Sequence, residues 1–143
     1  MTSSRQLISS ERLHAGVPYH YAVVVSADRL VFTAGACPLD PTGAVVPGGV
    51  VAQARQTLAN LDIALEDAGC RRDDVVTTTV FVASPVGEDL LAAWSEYERI
   101  YGTDGPPSTL LGVAMLGFPG QLVEIEAVAV QRGPRDGQSP AVG

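Results

Sequence analysis

The sequence predicts an α+β fold in which a sheet carries two helices on one face, in the element order ββαβαββ. Three observations lead there. Two stretches space their apolar residues three or four apart, as helices do. Several others are rich in β-branched and apolar residues without that spacing, and clusters of Pro, Gly and Asp separate them with no long linker and no internal repeat. Because helices follow strand pairs, the economical packing sets both helices against the same face of the sheet.

The elements follow in chain order. Tyr21 to Ser26 (YAVVVS) and Arg29 to Ala34 (RLVFTA) read as the first two strands, with Ala27-Asp28 as a tight hairpin between them. Cys37 to Gly49 is dense in turn-forming residues and reads as a loop. From Val50 to Ala68 the apolar residues Val51, Ala54, Leu58, Leu61, Leu65 and Ala68 form a helical stripe, and Gly69 stands where a left-handed C-terminal cap belongs.

Val75 to Ala83 (VVTTTVFVA) reads as a strand that Ser84-Pro85 ends, since proline cannot donate to a ladder. The second helix spans Gly87 to Tyr101, with Leu90, Leu91, Trp94, Tyr97 and Tyr101 near one stripe and Glu88-Asp89 in the first turn. Gly102 to Pro107 breaks it. Ser108 to Leu116 and Leu122 to Gln131 complete the strands of a single domain over residues 1–132, and residues 133–143 read as a Pro/Gly/Ser-rich flexible tail.

Composition excludes several classes. A net charge of −7 with only 17% charged residues offers no basic footprint for nucleic-acid phosphates. No stretch approaches the roughly 18 apolar residues of a membrane span, and the first twenty residues do not read as a signal peptide, so a soluble cytoplasmic protein is expected. Two cysteines, Cys37 and Cys70, give neither a disulfide framework nor a CxxC spacing, and no metal or cofactor is expected. Cys70 reads as a surface thiol, and Arg71 to Asp74 as a solvated charge run. Alternation is weak in Tyr21 to Ser26 and Val75 to Ala83, so both sheet faces read as apolar, and self-association is expected to cover the face without helices.

Several segments, weak singly, together resemble the RidA family, also called YjgF/YER057c/UK114. They are Pro18-Tyr19, VFTAG at 31–35 with Pro38, PTG at 41–43, the QxxQTLxNL helix start from Gln53, AG at 68–69, the TTTVFV strand, Tyr97, Pro106 and VEIEAVAV in the last strand. The resemblance covers most of Gly16 to Arg132. It implies a chorismate-mutase-like fold, a homotrimer whose three sheets face a central core, and clefts at the subunit interfaces for small carboxylated molecules. Deaminating members hydrolyse enamines and imines such as 2-aminoacrylate, with an arginine gripping the substrate carboxylate.

On this resemblance, Glu124 aligns with the glutamate that holds or polarises water, and a carboxylate in a partly apolar cleft can serve as acid or base. Glu126 shares its face. Tyr19 lies near the cleft and is expected to act beside Glu124 in catalysis, positioning polar groups together with Ser108 while Trp94 packs against the substrate's apolar body. Ser108 stands where the family has its arginine, losing charge and fork, which costs about 2–3 kcal/mol of affinity for a small α-carboxylate. Trp94 aligns with a polar asparagine, and Ala36 with a glutamine. Cys37 falls close to the cleft, where a small buried hydrophobe is the plainer reading than a nucleophile. His20 could transfer protons or be merely structural. His14 has less claim to such a role, and Arg5 or Arg12 could replace the lost anchor.

Two function classes stay open at this point. One is an enzyme acting on a reactive enamine or imine larger than 2-aminoacrylate; the other is a trimer that binds a metabolite or protein after losing the chemistry. Members of the family are often labelled endoribonucleases, a label the acidic composition does not support.

Overall fold

The computed structural model describes residues 5–132; the expected tail lies outside them. Helix α1 spans Gly49–Asp67 and buries Gln53, Ala54, Thr57, Leu58, Leu61 and Leu65 along one face. Gly69 takes φ 76°, the left-handed conformation its position after the helix requires. Helix α2 spans Gly87–Tyr101 with Glu88 and Asp89 in its first turn. Its buried stripe is narrower than expected: Ala93, Glu96 and Tyr97 are buried, while Leu91 stays 64% exposed.

The main sheet has four strands in the order β3-β6-β4-β5. They are β3 (Arg29–Phe32), β4 (Val75–Val82), β5 (Ser108–Gly112) and β6 (Val123–Gln131). Strands β4 and β5 run parallel on either side of α2, and the other pairings are antiparallel. Val80, Val82, Val123, Ile125 and Ala129 point into the core with Leu58, Leu61 and Leu65 of α1. Leu61 is fully buried there. Leu61→Ala is expected to cost about 2–5 kcal/mol, because the cavity adds to the lost transfer energy; urea denaturation reads it as a lower midpoint at unchanged slope.

The chain between the N-terminus and β3 departs from the expected hairpin. Strand β1 (Gln6–Ile8), unmarked by any pattern in so short a run, pairs antiparallel with β2 (Ala22–Val24) as a separate two-stranded sheet. Ala27-Asp28 therefore does not join two paired strands. The favoured two-residue hairpin turns need positive φ, and no residue other than glycine adopts it among the described residues. Two other strands stop early, β3 at Phe32 and β5 at Gly112.

The face away from the helices is not uniformly apolar, contrary to expectation. Burial alternates along β4 and β6, leaving Thr77, Thr79, Glu124 and Glu126 outward between apolar side chains such as Phe32, 72% exposed, Leu30 and Leu111. Two further expectations fail. Cys70 is buried, packed between the end of α1 and β6. Asp74, in a short 3₁₀ turn (Arg72–Asp74), is also buried, accepting hydrogen bonds from the Arg71 backbone N–H (2.7 Å) and from Arg132 Nε (3.0 Å).

Candidate active site

Glu124 occupies the outward face of β6, opposite Phe81 of β4. Its carboxylate is held from two directions. An antiparallel bridge between Ala36 and Ile125, with N–H to carbonyl distances of 2.7 and 3.1 Å, sets Cys37 opposite Glu124, and the Cys37 thiol donates to Glu124 Oε1 at 3.2 Å. From the turn before β6, Gln121 Nε2 donates to the same oxygen at 3.2 Å. Gln121 is itself fixed: buried, it donates to the Val123 carbonyl (3.0 Å) and accepts from the Phe118 N–H (3.1 Å). Among the described residues, no donor reaches Glu124 Oε2. The backbone at Gly35 approaches so closely that a Cβ there would lie 2.5 Å from both Cδ and Oε2 of Glu124.

Burial, the hydrogen bond to Glu124 and the carboxylate's charge together push the Cys37 thiol up to about 11 from its ordinary 9.0. At neutral pH it is a thiol donor and a poor nucleophile. The folded state retains this proton more tightly than the unfolded chain. Its contribution to stability is therefore complete below pH 9 and is lost as pH rises towards 11. Denaturation midpoints measured at pH 8 and pH 10.5 are expected to fall further in the wild type than in Cys37→Ala.

A second cluster lies on the opposite face of the sheet. Tyr97 of α2 places its hydroxyl 2.7 Å from Thr78 Oγ1 and 2.6 Å from Ser108 Oγ; Ser108 also bonds Thr78 and donates to the Pro106 carbonyl at 3.1 Å. Burial pushes the Tyr97 phenol up, so it remains a donor at neutral pH. Trp94, Tyr97 and Tyr101 stack in a row, with centroids 4.8 and 4.6 Å apart. A shallow cleft beside them is lined by Pro18, Tyr19, Trp94, Glu98, Thr103 and Pro106, among others.

Comparison with known proteins places this geometry in context. Residues 9–131 match the family model described as Endoribonuclease L-PSP. The 2-iminobutanoate/2-iminopropanoate deaminase of Capra hircus is 39% identical over 129 residues, covering 89% of this chain and 90% of the goat protein. The fold matches a Rid-family protein of unknown function from Yersinia pestis with a TM-score of 0.79 at 31% identity, covering 89% of this chain and 98% of that one. It also matches Rv2704 of Mycobacterium tuberculosis, of the YjgF/YER057c/UK114 family, with a TM-score of 0.61 at 30% identity, covering 89% and 99%. The chain belongs to the RidA family.

Within this RidA-family chain, the residues singled out from sequence divide between the two faces. Glu124, Cys37 and Ala36 come together at the outward face, with Ala36 contributing only its backbone. Tyr19 and Trp94 meet at the shallow cleft, and Ser108 is tied to Tyr97, away from Glu124. Cys37 is half-buried and bonded to a carboxylate, so the reading of a small buried hydrophobe does not hold. His20 sits between Ser9 Oγ (3.2 Å) and Asp104 Oδ1 (3.3 Å), outside both groups. His14 is exposed and packs beneath Gly16. Arg5 fastens the N-terminal segment by donating to the carbonyls of Asp73 (3.3 Å) and Asp104 (2.9 Å), and Arg12 is exposed.

Sequence reasoning missed Gln121 and the structural need for Gly35. A polar residue directly after the Pro119-Gly120 turn and three before Glu124 was the available signal for the first. The VFTAG motif contained the second without revealing which side chain its glycine accommodates.

Proposed function

We propose that this chain is an imine/enamine deaminase-type hydrolase in which Glu124 moves the proton. The observation that carries the reading is the Glu124 carboxylate, anchored through Oε1 with Oε2 left for water or substrate. The activity named for the goat relative supports the same class. An enamine first takes a proton at its β-carbon to become the imine. Water then adds to the imine carbon while Oε2 accepts the water proton. Because the protonated enamine is an iminium ion, this addition gives a neutral carbinolamine; Glu124 returns its proton to the nitrogen, and the C–N bond breaks with its electron pair leaving as ammonia while the hydroxyl proton passes back to Oε2 and the carbonyl forms.

The working form is a homotrimer with its sites at subunit interfaces. The outward sheet face supports this, since Phe32, Thr77, Thr79, Glu126 and Val128 line a hollow of about 180 Å³ that a second copy would cover. A monomer in sedimentation at micromolar concentration would contradict it. With Ser108 in place of an arginine, the substrate carries a larger apolar body than 2-aminoacrylate and relies less on its carboxylate. Nucleic acid remains an unsuitable partner for a chain of net charge −7.

A second reading, a metabolite-binding trimer without chemistry, is favoured by one observation: Ser108 turns its hydroxyl into the Tyr97–Thr78 cluster. Imines generated in place by an amino-acid oxidase from alanine, leucine and phenylalanine separate the two. The enzyme reading expects hydrolysis that is faster for the bulkier imines. A best rate with the alanine imine would contradict the size claim, and no acceleration with any of them would leave the binding reading standing.

A further inference from the structure

We infer that Gln121 and Cys37 are positioning residues that clamp one oxygen of Glu124, so that Oε2 alone handles the proton. The inference rests on the deaminase reading and deepens it. Both donors meet Oε1 at 3.2 Å, one from the turn before β6 and one from the strand-like segment opposite. Their approach from separate chain segments leaves the carboxyl group little freedom to rotate about its last bond. Gln121 is well suited to the task because its other polar contacts, the Val123 carbonyl and the Phe118 N–H, set its own amide orientation. Gly35 leaves the carboxylate room to hold this orientation, since a Cβ there would lie 2.5 Å from both Cδ and Oε2.

The thiol suits this position because it donates without competing as a base: at neutral pH it keeps its proton. Alternative readings of Cys37 as a nucleophile meet the obstacle that its thiolate would form beside the charge of Glu124.

The test uses full-length Gln121→Leu, Cys37→Ala and Cys37→Ser proteins, with circular dichroism as the control for folding. On the best imine substrate, Gln121→Leu and Cys37→Ala are each expected to lower kcat by about tenfold, as for loss of one hydrogen bond to a charged group, with KM little changed. Cys37→Ser, which keeps a donor, should recover most of the loss. Unchanged kcat in both variants would overturn the inference while leaving the deaminase reading intact.

A readout independent of turnover covers the case in which no imine is hydrolysed. Iodoacetamide alkylation of Cys37, followed across pH by peptide mass mapping, should proceed at lower pH in Glu124→Gln than in the wild type, because the neighbouring charge is gone. Identical alkylation profiles would overturn the thiol–carboxylate pairing itself.

Discussion

Glu124→Gln is expected to lower imine hydrolysis by about 10²–10⁴-fold, the usual worth of a positioned acid–base group. The substitution keeps the size of the side chain and removes its charge, and with it the ability to accept a proton. On the outward face of β6, Glu124 takes no part in the apolar core formed by Val123, Ile125 and Ala127 behind it. Melting temperature should therefore change little. The loss should appear in kcat and kcat/KM together, as for an interaction made only in the transition state. A loss confined to KM would instead assign Glu124 to binding.

Gly35→Ala should come close to that effect without touching the carboxylate chemically. The added methyl would stand 2.5 Å from Glu124 Cδ and Oε2, and the side chain must swing away from its two donors to make room. A displacement of about 1 Å at a reacting group can cost about 10²-fold in rate, and kcat is expected to fall by that order. Gly35 does not have a positive φ, so alanine suits its backbone and the protein should fold. Assaying the variant beside Glu124→Gln, with thermal melts of both, separates misplacement from misfolding.

These effects rest on residues that the sequence revealed unevenly. The α1 stripe of Ala54, Leu58, Leu61 and Leu65 was legible because burial at helical spacing leaves a periodic trace, and Gly69 because only a left-handed cap needs a glycine there. Strand β1 carried no such trace: Gln6–Ile8 is three residues long and owes its conformation to pairing with Ala22–Val24. Cys70 next to two arginines looked solvated, yet the chain turns it inward against β6, a consequence of tertiary packing that local composition does not record.

The candidate site shows the same division. The family resemblance pointed to Glu124, and the alternation of β6 then set it outward. What gathers around it depends on register. The Ala36–Ile125 bridge brings Cys37 opposite Glu124, and the Phe118–Gln121 turn swings the amide onto the same oxygen. Ser108 was expected to stand in for an arginine at the cleft. Parallel pairing with Thr78 sets it on the helix side of the sheet, where Tyr97 captures its hydroxyl.

The most direct measurement is the appearance of 2-oxo acid from an oxidase-generated leucine imine, with wild-type and Glu124→Gln proteins run in parallel against the oxidase alone. Acceleration by the wild type and a rate near background for the variant are expected. Equal rates in wild type and variant, whether both accelerated or both at background, would contradict a catalytic role for Glu124.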